Sequence, residues 1–405
     1  MTKHNLFTEP ASTTISSPAI DVHQIGGPVG GSVLPPKESS FQRGQNNVTA
    51  FHHQSSDPAY LLLFLQSPSE LGELFWDHGE MGGALLNADF SVHTDFGTIH
   101  TPCPNTDWKS GRLLAGNIVP GAVSDDGDRE FHLFYGGSPG GDGLLQEEIA
   151  LAKLTITAKG KIEWEDLKTV DLLGWDQYYD YSTHPEKPEI THRQKRDPFV
   201  VFHDGLYWMF TSAAARTTSE VYKGCIGLAV SEHVEGPYTA VRSPLFPRQF
   251  SGDGEQGLCY DCERPHVFYN DGHWHLFFSA REKLTHTHLL QGDGAPLTDS
   301  SLHHYQSLHL QGPYFPVSNR PIVEGSTETG LYGINFIQPE EGKVLAYGFD
   351  NEKMMLDVTG SWEVIWPEGR PVIKPNHPSN STAQIRNLLY KPGYQLWDAT
   401  MLRLN

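Results

Sequence analysis

Short apolar runs broken by Gly, Asp and Asn make up most of the chain beyond its first 45 residues, and helical periodicity is scarce. Such runs, rich in aromatic and β-branched residues, are typical of antiparallel strands joined by tight turns. The clearest examples are 200–210 and 267–277, each of which contains an Asp-Gly pair between two apolar runs. Asp and Gly tolerate the positive φ values of a two-residue turn, so both segments are predicted β-hairpins.

The hairpin pattern recurs along the chain. Weaker copies lie at 59–64, 131–134 and 343–347, and one aromatic anchor residue marks the same point of each copy: Phe64, Phe134, Phe210, Phe277 and Tyr347. The anchors recur at a period of roughly 70 residues, which is long enough for the four strands of a propeller blade. Because one repeat cannot bury both of its faces alone, five copies at a long period predict an all-β fold, a five-bladed β-propeller rather than a β-sandwich.

The repeats also divide the chain. Residues 1–45 are rich in Ser, Thr, Pro and Gly, and we expect them to form a poorly regular N-terminal arm. Length alone would favour two or three domains, but the repeat predicts that residues 46–405 are a single propeller domain.

The charge balance excludes some classes of partner. The chain has 49 Asp and Glu against 29 Lys and Arg, a formal net charge of −20, which argues against binding to nucleic acid or to an anionic membrane. No window holds the 18 apolar residues of a membrane span, and the first residues lack the apolar core of a secretory signal. We expect a soluble protein that is cytoplasmic, exported by another route, or supplied without its leader.

Metal ligands are not evident in the sequence. Cys259-Tyr260-Asp261-Cys262 has C-x-x-C spacing but stands alone, which favours structural cysteines over a zinc site. The histidine groups 52–53, 286–288 and 303–304 lack ligand spacing and are expected on the surface. We therefore expect no metal and no cofactor.

Two repeats begin with charged residues where the innermost strand of a blade should meet the central channel. These are Arg196-Asp197-Pro198 and Glu263-Arg264-Pro265, and the carboxylates Asp197 and Glu263 precede their anchors by nearly the same number of positions. Near-equal offsets predict equivalent positions in neighbouring blades, so the two carboxylates should converge. A carboxylate pair suits glycoside chemistry, in which one group protonates the leaving oxygen and another attacks or stabilises the sugar cation. The alternative is that each is only a strand-end ion pair with its adjacent arginine.

These motifs resemble those of a known family. Arg196-Asp197-Pro198 resembles the Arg-Asp-Pro motif of the levansucrase and invertase families. Glu263-Arg264-Pro265-His266, with 224–230 upstream and Gly312-Pro313-Tyr314 downstream, is more similar to the levansucrase-type fructosyltransferases, glycoside hydrolase family 68. Invertases usually have Glu-Cys at the second motif. The resemblance covers about residues 110 to 350 and implies retaining fructosyl transfer from sucrose or a related β-fructoside to water or an acceptor sugar.

The resemblance implies roles for individual residues. Asp197 would stabilise the fructosyl cation, and Glu263 would be the general acid/base. Arg196, Asp261 and Arg281 would bind sugar hydroxyls. Tyr332, at the start of the equivalent strand of the fifth repeat, would line the same pocket or pack as a buried ring.

The resemblance also implies an aspartate nucleophile, commonly within a Trp-Asp dipeptide, at the start of the first blade. The same two offsets, counted back from Phe64, lead to Phe51 and Ala50, and neither is a carboxylate. Ala50 would then replace the nucleophile, by design or by divergence. Alternatively the first hairpin is irregular, and Asp57 or Asp77 takes the role.

Two other interpretations remain open at this point. One is an inverting arabinan- or xylan-type glycosidase on the same fold, in which the carboxyl groups would be about 6.5 to 9.5 Å apart rather than about 5 to 5.5 Å. The other is a carbohydrate-binding propeller without catalysis.

Overall fold

β-Strands are the main secondary structure of the described residues. The computed structural model describes residues 58–68, 79–102, 112–138, 146–217, 221–245, 259–281, 300–318, 320–323, 331–340, 343–350, 355–367, 370–375 and 394–404. The predicted N-terminal arm, residues 1–45, lies outside these ranges. In the described part of the chain, one 3-10 helix, Trp175–Gln177, accompanies the strands, and no helix there is long and apolar enough to cross a membrane.

The strands in chain order are β1 (Tyr60–Pro68), β2 (Glu80–Leu86), β3 (Val92–His100), β4 (Arg112–Val123), β5 (Arg129–Ser138), β6 (Glu148–Ile156), β7 (Ile162–Thr169), β8 (Leu172–Leu173), β9 (Ser182–Thr183), β10 (Thr191–His192), β11 (Lys195–His203), β12 (Leu206–Ala214), β13 (Gly224–Ser231), β14 (Tyr238–Val241), β15 (Glu263–Asn270), β16 (His273–Arg281), β17 (Ser300–Ser307), β18 (Phe315–Pro316), β19 (Leu331–Glu340), β20 (Lys343–Asp350), β21 (Met355–Ile365), β22 (Val372–Pro375) and β23 (Tyr394–Arg403).

Five sheets of antiparallel strands form the blades of a propeller, as the repeat predicted. From the innermost strand outward, the blades are β23-β1-β2-β3, β4-β5-β6-β7, β11-β12-β13-β14, β15-β16-β17-β18 and β19-β20-β21-β22. The short β8 extends the third blade by parallel pairing, and β9 with β10 forms a separate ribbon. The five innermost strands contact one another in a closed ring around the channel.

The anchor residues confirm the predicted period. Each lies on the second strand of its blade, on β1, β5, β12, β16 or β20, and each is buried. The Asp-Gly hairpins are also confirmed: Asp204, Gly205, Asp271 and Gly272 have φ values of 51°, 79°, 47° and 80°. Two consecutive positive φ values are the geometry that the turn between two twisted strands requires.

The core is divided among the five blade interfaces, because each blade buries both of its faces. On β1 the odd residues, such as Leu61 and Leu63, pack with the second blade, and the even residues, such as Leu62 and Phe64, pack with the fifth. Three further apolar clusters fill the remaining interfaces. Strands buried on both faces read as continuous apolar runs, which explains why 59–65 shows no polar alternation.

The first blade is completed from the other end of the sequence. Its innermost strand is β23, which pairs with β1 and places Ala399 opposite Phe64. The premise behind the choice of Ala50, that this strand precedes its anchor along the chain, is therefore wrong. A C-terminal strand closes the ring as well as an N-terminal strand would. Closure requires that the exposed edge of the first blade is paired, whatever the position of the pairing strand in the chain.

Because β23 closes the ring of blades, a cavity created on this strand should destabilise the protein strongly. Leu402 is 1% exposed between the first and second blades, so Leu402→Ala should lower the free energy of unfolding by about 2–5 kcal/mol in chemical denaturation. Leu308→Ala, at a side chain that is 68% exposed, is the matched control and should change it by less than about 0.5 kcal/mol. Equal effects of the two substitutions would contradict the role given to β23.

Candidate active site

The innermost strands of the third, fourth and fifth blades share one backbone irregularity. Arg196 on β11, Glu263 on β15 and Tyr332 on β19 each pair with the residue two positions after the anchor, and the register shifts directly afterwards. These three residues are therefore equivalent. A bulge of this kind redirects side chains and is common beside active sites.

The residue that follows adopts a left-handed conformation in each blade. Asp197, Arg264 and Gly333 have φ values of 53°, 54° and 57°. At Gly333 a Cβ atom would also lie 2.8 Å from Cδ of Arg264, so a larger residue there would displace the Arg264 side chain. The predicted equivalence of Asp197 and Glu263 is wrong by one residue, because Asp197 aligns with Arg264. The two carboxylates still converge, since they lie on successive positions of adjacent strands.

Arg196 is the residue on which the carboxylates converge. Its guanidinium is buried and donates from Nη1 to Glu147 Oε2 at 2.8 Å and from Nη2 to Asp261 Oδ2 at 2.8 Å. Nη2 also lies 3.1 Å from Glu263 Oε1, and Nε lies 3.6 Å from Asp197 Oδ2. Burial disfavours the charge, but the four carboxylates outweigh it and raise the pKa of Arg196 well above its usual value.

Asp197 is fixed by two further contacts. Its Oδ2 lies 2.8 Å from the Ser212 hydroxyl and accepts the backbone N–H of Arg264 at 3.1 Å. Burial raises the pKa of Asp197 above its ordinary value, while Arg196 and Arg264 oppose that rise. The carboxylate is thus held in one orientation, 7% exposed, at the inner end of its strand.

Asp261 lies on the segment that leads into β15. It contacts Arg196 through Oδ2 and accepts from Gln194 Nε2 through Oδ1 at 3.1 Å. Burial raises the pKa of Asp261 to about 6, against the attraction of Arg196 and with a contribution from Glu263. The close approach of this segment depends on Gly224, where a Cβ atom would lie 2.4 Å from the Tyr260 carbonyl oxygen.

Glu263 is the more accessible acid of the group. Its side chain is 12% exposed, and Oε2 lies 3.6 Å from Nε of Arg281 at the end of β16. Five of the predicted site residues are therefore brought together: Arg196, Asp197, Asp261, Glu263 and Arg281. The backbone of Tyr332 occupies the equivalent position of the fifth blade, and its contact with a sugar stays a prediction.

Sequence reasoning missed two residues that lie directly behind Arg196. Glu147 precedes β6 in the second blade and is 4% exposed, and its Oε2 lies 3.1 Å from Nε2 of His192. The His192 ring in turn contacts the Tyr260 hydroxyl through Nδ1 at 2.9 Å. Neither position belongs to a repeat or a motif. Both lie outside the repeated hairpins, so counting from the anchor residues does not reach them.

The cysteines and histidines form no metal site in the described ranges. Cys259 and Cys262 are buried free thiols with their Sγ atoms 3.4 Å apart, and burial raises the pKa of Cys262 well above its usual value. The expectation of exposed histidines is wrong for His303 and His304, which are 7% and 3% exposed within the fourth blade. Among the described residues no three His, Cys, Asp or Glu side chains are grouped to hold a metal ion.

The predicted positions of the nucleophile, Ala50, Asp57 and Asp77, lie outside the described residues. The strand that fills the place sought for Ala50 is β23, which carries Trp397-Asp398. Asp398 pairs with Leu65, and the strand register shifts at Trp397, as it does near Asp197 and Arg264. The Trp-Asp dipeptide occurs in the sequence at three places, but without the strand order nothing selects 397–398.

Two levansucrases resemble the chain in sequence. A levansucrase of Rahnella aquatilis is 25% identical over 255 residues, which cover 54% of this chain and 56% of that protein. Levansucrase Lscbeta of Pseudomonas syringae pv. actinidiae is 32% identical over 104 residues, 25% of this chain and 21% of that protein. The chain thus matches about half of the length of the first of these relatives. No family model matches it.

Solved structures of the same group share the fold. The inulosucrase from Halalkalicoccus jeotgali, bound to kestose, superposes with a TM-score of 0.53 at 16% identity, covering 79% of this chain and 83% of that one. A Bacillus subtilis levansucrase mutant superposes with a TM-score of 0.54 at 13% identity, covering 80% and 84%. The likeness extends well beyond the segment that is matched in sequence.

The raised pKa of Asp261 predicts a pH-dependent difference in stability. Its folded value of about 6 exceeds the unfolded value near 3.9, so the stabilisation of the folded state by the neutral acid is lost as pH rises through about 4 to 6. Asn cannot ionise and escapes this loss. The free energy of unfolding of Asp261→Asn, relative to the unsubstituted protein, should therefore increase by about 2 kcal/mol between pH 4 and pH 7.

Chemical denaturation at several pH values measures this difference. Asp126→Asn, on an exposed turn, is the control and should give a flat difference across the range. A flat difference for Asp261→Asn as well would show that burial does not hold this carboxyl in its neutral form.

Proposed function

We propose that this chain, a distant relative of the levansucrases and inulosucrases, transfers a fructosyl group from sucrose or a related β-fructoside to water or to an acceptor sugar with retention of configuration. The observation that carries the proposal is the convergence of Asp197, Asp261 and Glu263 on the buried guanidinium of Arg196 at the inner ends of two adjacent blades. Related or like-folded proteins bind kestose or oligosaccharides, which supports a sugar as the ligand.

The environments of the two carboxylates support different roles. Glu263 is partly accessible and lies beside two positively charged side chains, Arg196 and Arg281. It can exchange protons with a sugar oxygen, as a general acid/base must. Asp197 is held rigidly by Ser212 and the N–H of Arg264, so it can accept hydrogen bonds from sugar hydroxyls and stabilise positive charge without moving.

Asp398 is our candidate for the nucleophile. It lies on the innermost strand of the first blade, beside the register shift that marks the catalytic positions of the third and fourth blades. Trp397-Asp398 is also the dipeptide in which the family commonly carries its nucleophile, as the resemblance implies. The replacement of a nucleophile by Ala50 is no longer needed to explain the sequence, because β23 occupies the strand position from which Ala50 was deduced.

The proposed reaction has two steps. The Asp398 carboxylate attacks the anomeric carbon, the bond from that carbon to the glycosidic oxygen breaks, and the leaving oxygen takes the proton of Glu263. Ionised Glu263 then accepts a proton from water or an acceptor hydroxyl, whose oxygen attacks the same carbon and releases Asp398. Asp197 stabilises the cationic transition state of both steps.

Glu263→Gln tests the acid role. With sucrose we expect glucose release to fall by at least about 10²-fold, because the leaving oxygen must depart without a proton. With a β-fructosyl fluoride the loss should be much smaller for the first step, since fluoride leaves unprotonated. Glu163→Gln, an exposed residue of β7, is the control and should retain full activity. Unchanged glucose release by Glu263→Gln would overturn the proposal.

The identity of the nucleophile is tested by four substitutions assayed with sucrose. Asp398→Asn should reduce turnover by at least about 10³-fold and leave no fructosyl-enzyme to be trapped. Asp57→Asn and Asp77→Asn should keep most of the activity, and Ala50→Asp should add none. If Asp57→Asn or Asp77→Asn loses activity while Asp398→Asn keeps it, the substituted aspartate is the nucleophile instead. A gain of activity in Ala50→Asp would place the nucleophile at position 50. Sugar binding without product in the unsubstituted protein would indicate a carbohydrate-binding propeller.

A further inference from the structure

Arg196 uses opposite edges of its guanidinium for two different purposes. Nη2 and Nε face the carboxylates of the candidate site, while Nη1 points the other way and donates to Glu147 at 2.8 Å. The charged or titratable groups around it are Glu147, Asp197, Asp261 and Glu263, with His192 behind Glu147. A planar fork held at its rear edge cannot rotate without breaking that contact.

Glu147 is itself held in place by the backbone. Gln146 bridges to Arg193, and the N–H of Glu147 donates to the Arg193 carbonyl oxygen at 3.3 Å. This ties the loop before β6 to the segment that leads directly into β11 and Arg196. The next residue, Glu148, points elsewhere and pairs with Lys195 and Arg193. Two consecutive glutamates thus serve different partners, and Glu147 is the one that touches Arg196.

Two further side chains hold Glu147 from behind. His192 Nε2 lies 3.1 Å from its Oε2, and His192 Nδ1 lies 2.9 Å from the Tyr260 hydroxyl. The two ring nitrogens of His192 thus face different partners, the Glu147 carboxylate and the Tyr260 hydroxyl. Tyr260 directly precedes Asp261, and the chain of contacts therefore returns to the site that Arg196 serves.

Electrostatics keep Glu147 ionised. Burial alone would raise its pKa, but the charges and hydrogen bonds of Arg196 and His192 together lower it to about 2. Glu147 therefore remains a carboxylate well below neutral pH. A permanent negative charge on the far side of the guanidinium opposes its collapse onto the three carboxylates of the site.

We propose that Glu147 is a positioning residue for the fructosyl-transfer reaction: supported by His192 and Tyr260, it holds Arg196 so that Nη2 bridges Asp261 and Glu263. This rests on the proposed function. Glu147 itself touches neither substrate nor reacting atoms. It acts on the orientation of Arg196 and on the charge that the remaining carboxylates experience.

Glu147→Gln tests this role, because it keeps the volume and an oxygen acceptor but removes the charge. We expect kcat/KM for sucrose to fall by roughly 10- to 100-fold, the effect of a small misplacement of a reacting group. The pH profile should also move to lower pH by about 0.5 to 1 unit, since the other carboxylates lose a like charge and gain a larger share of Arg196. Glu148→Gln is the matched control and should keep the profile and kcat/KM within about twofold.

A merely structural role predicts a different result. It would lower the thermal stability of Glu147→Gln but leave the kinetics of the folded fraction and the pH profile unchanged, and that outcome would overturn the proposal. A crystal structure of Glu147→Gln gives a readout that does not depend on activity. In that structure we expect Nη2 of Arg196 to lie farther from Asp261 by about 1 Å or more, which is the scale of misplacement that costs activity. An unmoved guanidinium would also overturn the proposal. If the unsubstituted protein proves inactive on β-fructosides, the proposed function fails, while the crystal structure still decides the role of Glu147.

Discussion

The pairing of one buried guanidinium with four carboxylates is the constraint on which the centre of this protein depends. Arg196 can remain charged at 6% exposure only because Glu147, Asp197, Asp261 and Glu263 surround it. The reverse also holds, since none of these acids could lie so close to the others without that charge. Removing either side would leave uncompensated charge away from water. The site is therefore a single electrostatic unit, to which three blades contribute.

Such a unit requires a rigid frame, and the ring of blades supplies it. Each blade buries both faces against its neighbours, so a displacement of one innermost strand would open an apolar interface. β23 has two roles in this frame. It closes the ring through residues such as Leu402, and it carries Asp398, the proposed nucleophile, beside its register shift. In the proposed function, closure of the fold and the position of the nucleophile therefore depend on the same strand.

The left-handed residues beside the site show how local backbone geometry and chemistry are linked. Asp197 and Arg264 both adopt positive φ, a conformation that is costly for residues with a side chain. In return, the N–H of Arg264 reaches Asp197, and neighbouring side chains turn toward one another across the blade interface. The off-by-one alignment of Asp197 with Glu263 came from treating two unequal offsets from the anchors as equal, since both strands carry the same bulge and equal counts from Phe210 and Phe277 lead to Asp197 and Arg264.

The sequence by itself determined the number of blades, the hairpins and most of the acidic cluster, because burial on both faces and tight turns leave a local pattern that recurs in every blade. Arg196, Asp197 and Glu263 were found in the same way, since each begins a repeat. Only the tertiary structure decided that β23 completes the first blade and that Glu147 and His192 lie behind Arg196. Those contacts join residues far apart in the chain, and nothing in the local pattern of either partner encodes the choice of the other.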